Sequence, residues 1–399
     1  MAEAGKRGAK IRSDCWIQYT PGGSDIQIQL TSKVASLYGK KIEAQIRKDL
    51  TTMGLSNGRI KIEDTGALPY VISARLETAV LRSDIQIKES AIPQRTGEFE
   101  SSSKNRLRRS RLYVPGNQPH LFIHAGLHQP DGIILDLEDS VSPAEKDAAR
   151  VLVRNALLSI DFMGAERMLR INQLPMGLED LEWIVSFGVQ MVLIPKCENG
   201  DQVRTVEAKI KALKPAKPVW LMPIIESALG CFNALDIATA SDQVAALSIG
   251  LEDYTADLGV QRTAEGRESL WARHTVINAA KAAGIQAIDS VYSDVSDMEG
   301  LRLSVIEAKS LGFEGKGCIH PNQIQVIHKA FAPSEIDIRK ACEIVLAYEK
   351  AESEGLGVVA LGSKMIDAPV VKRALTMIQR AEAVGLINND WRKDFKGRS

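Results

Sequence analysis

The chain has 399 residues, 45% of them hydrophobic, with 50 Lys+Arg balanced by 50 Asp+Glu. That composition supplies a large apolar core and excludes a generally basic nucleic-acid coat or an acidic disordered tail. No run of about 18 apolar residues occurs to span a membrane. The opening MAEAGKRGAKIRSD lacks the apolar stretch of a secretory signal, so a cytoplasmic protein is expected. Cys15, Cys197, Cys231, Cys318 and Cys342 are scattered and show no CxxC spacing. They read as reduced thiols, with neither a disulfide frame nor a zinc site.

Residues 1–88 read as a small α+β unit. Ile26, Ile28 and Leu30 alternate with polar residues like a half-buried strand. Val34, Leu37, Ile42, Ile46, Leu50 and Met53 follow at helical spacing and stop at Gly54. Arg59–Glu63 and Tyr70–Leu76 read as two further strands joined by a turn with Asp64 and Gly66, giving a β-α-β-β carrier or binding module. Residues 89–109 have no apolar periodicity and mix Pro, Gly, Ser and charge, so they read as a flexible linker. Its basic end, Lys104, Arg106, Arg108, Arg109 and Arg111, is a solvated hinge or a local anion contact.

Residues 110–399 repeat strand, turn and helix, with a helical segment at the end. Apolar runs at 112–114, 133–137, 168–171, 191–194, 219–225, 244–249, 287–288 and 318–319 alternate with helical stretches such as 143–158, 201–213, 229–239 and 270–283. Eight β units over about 290 residues fit a (β/α)8 TIM barrel. A doubly wound open sheet competes, but no GxGxxG follows the first strand.

Barrels concentrate chemistry at strand C-termini, and here those ends are charged. The second strand runs into Asp136, Glu138 and Asp139, the third into Arg170 and Asn172, the fourth into Lys196 and Glu198. The fifth ends at Glu226, the sixth at Glu252 and Asp253, the seventh at Asp289. Glu226 and Asp253 end adjacent strands and either share a hard cation such as Mg²⁺ or form ion pairs at the barrel mouth. Arg170 either clamps a carboxylate or phosphate or is buried against Asp136 or Glu138. Lys196 beside Glu198 should stay charged, which disfavours Schiff-base chemistry. His120, His124 and His128 follow i, i+4, i+8 spacing and read as packing or surface residues of one helix face. Gly315–Gly317 around Lys316 read as a tight turn or a weak phosphate loop. No GxSxG elbow or catalytic triad spacing is present.

Several blocks are specific. RLYVPGNQP (111–119), ILDLEDSV (134–141), RINQL (170–174), IPKCENG (194–200), IIESALG (224–230), IGLEDY (249–254), IDSVYSDV (288–295), GKGCIHPNQI (315–324) and GSKMIDAPVV (362–371) occur in this order. The second part thereby resembles the citrate lyase β subunit, a citryl-thioester lyase of the aldolase/citrate lyase superfamily that also holds malyl-CoA and citramalyl-CoA lyases. DIQIQLTSKV (25–34) and EDTGALPYVISARLETAVLR (63–82) resemble the citrate lyase acyl carrier protein, the γ subunit. The chain thus looks like a fusion of γ and β subunits.

The resemblance implies an Mg²⁺-dependent barrel, usually trimeric, with Glu226 and Asp253 as metal ligands and Arg170 on a substrate carboxylate. Asp136, Glu138 and Lys196 would support them. Asp367 of the MID motif would lie on a C-terminal segment that crosses to a neighbouring subunit and supplies an acid/base carboxylate. In carrier relatives a serine two residues before an Asp holds a phosphoribosyl-dephospho-CoA arm. Here that position is Arg12, before Asp14, and Ser13 is a shifted attachment candidate. The implied reaction is retro-Claisen cleavage of citryl thioester to oxaloacetate and acetyl thioester, with a citrate lyase α subunit as a partner. A stand-alone citramalyl-CoA or malyl-CoA lyase acting on free CoA thioesters, and an inactive scaffold, are the alternatives.

Overall fold

The computed structural model describes residues 1–95, 98–361 and 364–396. The chain forms two compact units, Met1–Ile324 and Gln325–Ser399.

The first unit opens with a four-stranded sheet. Its strands are β1 (Ala2–Gly5), β2 (Cys15–Thr20), β3 (Ile26–Ser32) and β4 (Gly58–Asp64), ordered β1-β2-β4-β3. β3 and β4 run parallel and the other pairs antiparallel. β4 alternates cleanly, with Ile60 and Ile62 buried and Arg59 and Lys61 exposed. Helix α1 (Ala35–Thr52) buries Ile42, Ile46 and Leu50 on this sheet.

The segment expected as a fourth strand from Tyr70 is instead helix α2 (Pro69–Leu81). Pro69 occupies its first turn, where its missing N–H costs nothing. Every residue from Tyr70 to Val80 is buried, and a helix covered on all sides loses the one-sided apolar period that identifies a surface helix. The module is therefore β-β-β-α-β-α. β1 and β2 went unread because β1 has no apolar alternation and β2 is buried along most of its length.

Eight parallel strands then close a barrel: β5 (Ser110–Pro115), β6 (Gly132–Asp136), β7 (Glu166–Arg170), β8 (Met191–Ile194), β9 (Trp220–Ile225), β10 (Ala246–Ile249), β11 (Gln286–Asp289) and β12 (Gly315–Cys318). β12 returns to pair with β5. Seven of the eight coincide with expected strand runs, whereas β12 overlaps the expected 318–319 run only at Cys318 and takes up the Gly315–Gly317 stretch read as a turn or phosphate loop. Their residues are buried on both faces, as helix-covered parallel strands require.

α2 lies against barrel helix α4 (Lys146–Ser159), which follows the short helix α3 (Pro119–Ala125). Arg154 of α4 pairs with Glu77 of α2, and Asn155 Nδ2 donates to the Tyr70 carbonyl at 3.3 Å. Arg82 grips Asp147 through two 2.7 Å bonds and also donates to the Ala144 carbonyl at 2.8 Å.

Residues 98–109 are held rather than free, in contrast to the flexible linker expected over 89–109; Thr96 and Gly97 lie outside the described residues. Arg108 is fully buried on Glu166 at the start of β7, its Nε 2.7 Å from Oε2, and Ser102 also donates to Glu166. Trp220 Nε1, at the start of β9, donates to the Ser102 carbonyl at 2.8 Å. The linker's polar residues find partners at the strand N-termini, far away in sequence, which local composition does not record.

The second unit packs helices Glu335–Ser353 and Ala368–Ala383 around Cys342, Val345, Ala374 and Ile378, with a small hairpin of β13 (Val359–Leu361) and β14 (Lys364–Ile366). Gly362 and Ser363 of the GSKMIDAPVV block lie outside the described residues. No helix among the described residues is long and apolar enough to cross a membrane.

Candidate active site

The C-terminal strand ends converge on a cavity of about 450 Å³ lined by Arg111, Tyr113, Asp136, Arg170, Glu226, Ser248, Asp253 and Asp289, among others. Arg170 ends β7 beside Asp136, which ends β6 in register with it. Its Nε and Nη2 donate to the two Asp136 oxygens at 2.6 and 2.8 Å, and its Nη1 lies 2.8 Å from Glu138 Oε2. Ser140 Oγ also donates to Asp136. Burial works to raise the Asp136 carboxyl, but the Arg170 guanidinium outweighs it and holds it below the usual carboxylate range. Tyr113 supports the guanidinium from its ring face at 5.2 Å. Of the two sequence readings of Arg170, the structure shows the pairing with Asp136 and Glu138. The side chain is anchored there, and it still faces the cavity.

Glu226 sits just past β9 and is buried, with Lys196 N–H donating to its Oε1 at 3.4 Å. Burial and the adjoining Asp253 carboxylate push the Glu226 carboxyl well up. Two carboxylates in contact are the arrangement a shared cation would relieve. The pocket for Glu226 is tight on one side, because a Cβ on Gly250 would lie 2.8 Å from Glu226 Cγ. Lys196 Nζ lies 3.3 Å from Asp253 and 3.9 Å from Glu138. Burial opposes its charge, yet Asp253 prevails and the ammonium is held protonated, against Schiff-base chemistry. Four carboxylates (Asp136, Glu138, Asp139, Asp253) therefore pair with two cations, Arg170 and Lys196, beside the buried Glu226. Among the described residues no group of three or more His, Cys, Asp and Glu surrounds one point. The Glu226–Asp253 pair fits Mg²⁺, which takes one or two carboxylates and keeps waters for substrate to displace.

Other expectations changed. Lys316 lies in neither a tight turn nor a phosphate loop. It is on β12, fully buried, its Nζ 2.7 Å from Asp289 Oδ2. Gly315 beside it is required by the close approach of the Arg108 carbonyl. His120, His124 and His128 do not share one helix face, since α3 stops at Ala125 and His128 ends a 3-10 turn. Asp367 belongs to the second unit, where its carboxylate caps the helix Ala368–Ala383 by accepting from Val370 N–H at 3.1 Å. In the small domain Arg12 is exposed and Ser13 is half-buried with φ +53. Asp14 is buried in a two-pronged pair with Arg75 at 2.9 and 3.0 Å, and Arg75 also donates to the Asn117 carbonyl just beyond β5. The sequence reading missed Arg111, Tyr113 and Ser248 as cavity residues. Arg111 had been grouped with the basic linker end. The signal available was period two, since 111, 113 and 115 all line the cavity.

Residues 109–321 match the HpcH/HpaI aldolase/citrate lyase family and residues 5–83 match the malonate decarboxylase delta subunit (MdcD) family of acyl carriers. The citrate lyase β subunit of Leuconostoc mesenteroides subsp. cremoris is 38% identical over 295 residues, covering 72% of this chain and 98% of that protein. Human mitochondrial citramalyl-CoA lyase is 33% identical over 304 residues, covering 72% and 89%. Among solved structures, CitE of Mycobacterium tuberculosis in complex with magnesium, acetoacetate and coenzyme A is similar at 32% identity and a TM-score of 0.59, covering 70% of this chain and 99% of that one. The chain belongs to the HpcH/HpaI aldolase/citrate lyase family, a carbon–carbon lyase barrel preceded by an MdcD-like acyl carrier domain.

Proposed function

We propose that the chain cleaves citryl thioester to oxaloacetate and acetyl thioester by Mg²⁺-dependent retro-Claisen chemistry. The observation that carries this reading is the touching pair Glu226–Asp253 beside an Arg170 immobilised by Asp136 and Glu138. Mg²⁺ held by Glu226 and Asp253 would supply Lewis acidity toward the substrate's hydroxyl and adjacent carboxylate. Arg170, already fixed by two carboxylates, would hold that carboxylate without losing rotamer freedom on binding. Lys196 would bridge Asp253 and Glu138, to both of which it is tied. The hydroxyl would give its proton to a carboxylate, which becomes the acid of the next step, the C–C bond breaks, and its electron pair passes into the thioester carbonyl as an enolate. A carboxylic acid, Asp367 of a neighbouring subunit by family resemblance, then protonates the new methyl carbon. That assignment makes the working assembly a homo-oligomer, a trimer in the resembling lyases.

Citramalyl-CoA and malyl-CoA lyases use the same chemistry, and the relatives include them. The carrier position Arg12 and the seam of buried pairs at α2 favour a free CoA thioester over one swung on a Ser13-linked phosphoribosyl-dephospho-CoA arm. A citrate lyase α subunit is then dispensable. The test is oxaloacetate release from citryl-CoA by the purified chain, with Mg²⁺ and then with excess EDTA, repeated with Glu226→Ala. Release that EDTA and the substitution both abolish is expected. Undiminished activity in Glu226→Ala would sink the metal assignment, and no release under any condition would sink the citryl-CoA reading.

A further inference from the structure

Below the acidic rim the cavity changes sign. Arg111, 1% exposed, forms part of its floor. Its acceptors are all neutral: Met222 Sδ at 2.9 Å from Nη1, then Ser248 Oγ and the Asp289 backbone carbonyl, each 3.4 Å from Nη2. Among the described residues its Nε has no hydrogen-bond partner. The neighbouring Asp289 carboxylate accepts through Oδ2 from Lys316 Nζ at 2.7 Å and from Arg273 Nη2 at 3.2 Å, and among the described residues its Oδ1 is buried without a hydrogen-bond partner. Three buried cations thus surround one buried carboxylate, and Arg273's other partner, Glu307, is half-exposed.

A buried guanidinium that hydrogen-bonds only neutral acceptors and shares one carboxylate with two other cations is costly, and an apolar residue of similar volume would serve packing better. Burial lowers its affinity for its proton, yet guanidinium stays charged in any accessible range. The arrangement makes sense when an anion completes it. Arg170, bonded to Asp136 and Glu138, takes the first substrate carboxylate in the lyase reading, so a second carboxylate needs another cation. The rim therefore suits a cation and one substrate carboxylate, and the floor suits another carboxylate.

We propose that Arg111 receives a second substrate carboxylate, making the chain selective for acyl thioesters whose cleavage releases a dicarboxylic oxo acid. This rests on the lyase reading above and refines its substrate class. The relevant pair is citryl-CoA and citramalyl-CoA. They differ by one group, CH₂COO⁻ against CH₃, and release oxaloacetate and pyruvate respectively. Arg111 would bind the carboxylate of that CH₂COO⁻ arm with Ser248 beside it, so citramalyl-CoA would leave the guanidinium buried and unpaired.

The experiment measures kcat/KM of the full chain with Mg²⁺ on both thioesters, for the wild type, Arg111→Met and Arg111→Lys. The wild type should favour citryl-CoA by about 100-fold, the scale on which a closed site feels the removal of one charge-assisted hydrogen bond. Arg111→Met should lose that preference, with kcat/KM falling far more on citryl-CoA than on citramalyl-CoA, and Arg111→Lys should recover part of it. Calorimetric binding of oxaloacetate against pyruvate, with Mg²⁺ present, reads the same preference without turnover. Absence of a preference in the wild type overturns the proposal. So does a preference that survives in Arg111→Met, or an equal loss on both thioesters in a variant that still melts like the wild type. If neither thioester is cleaved, the lyase reading fails, and the oxaloacetate-against-pyruvate comparison still decides Arg111. If Arg111→Met does not fold, the wild-type preference and the partial recovery in Arg111→Lys decide it.

Discussion

Arg154 and Glu77 form a two-pronged ion pair, 3.0 and 2.8 Å long, with both side chains closed to solvent between the carrier-like domain and the barrel. Glu77 also accepts the Ala91 N–H at 3.0 Å. Burying both charges is tolerable only because each satisfies the other. Removing one leaves the other stranded, a loss of about 3–5 kcal/mol, whereas replacing both with apolar residues is often neutral. Glu77→Ala should lower the unfolding free energy by that amount, and Glu77→Leu with Arg154→Met should recover most of it. Urea unfolding of the three proteins tests this, and a wild-type midpoint in Glu77→Ala would contradict the buried pair.

The same seam explains what was legible. The barrel strands were readable because parallel strands covered on both faces, such as Ile133–Leu135 and Met191–Ile194, are short apolar runs between turn residues. The charged strand ends were readable because chemistry gathers there, so Asp136, Arg170, Glu226 and Asp253 all reach one cavity. α2 was not, because a helix buried on every side carries no amphipathic period, and its β-branched and aromatic residues mimic a strand. The linker was not, because Ser102 and Arg108 are polar residues whose partner, Glu166, lies some sixty positions on. Arg111 escaped for a related reason. A charged residue at the start of a strand reads as solvated until closure of the barrel places it inside.

Gly250 should tune the proposed metal site through its close contact with Glu226. A methyl group there would press on Glu226 Cγ at 2.8 Å and Cδ at 3.0 Å, so the carboxylate must move. Gly250→Ala should raise the Mg²⁺ concentration for half-maximal activity by about tenfold or more, the scale of other residues that orient metal ligands. Mg²⁺ titration of activity measures it, alongside a melting curve to separate folding from binding. An unchanged half-saturation would show that Glu226 has room to adjust and that its position is not set by Gly250.

Asp49 should give the carrier-like domain a pH signature of its own. It sits on α1 with its Oδ2 accepting from Ser73 Oγ at 2.6 Å, and burial pushes its carboxyl from 3.8 up to about 6 despite that bond. Between those two values the folded chain keeps a proton that the unfolded chain has released. Stability from this group is therefore full below about pH 4, falls as pH rises through the window, and is lost above about pH 6. The shift corresponds to about 3 kcal/mol at most. Asp49→Asn keeps an acceptor for Ser73 and carries no charge, so it should leave stability near pH 4 almost unchanged and raise it near pH 8. Urea midpoints of both proteins across pH 4–8 supply the difference curve. A curve flat with pH would mean that Asp49 ionises in the folded domain as easily as in the unfolded chain.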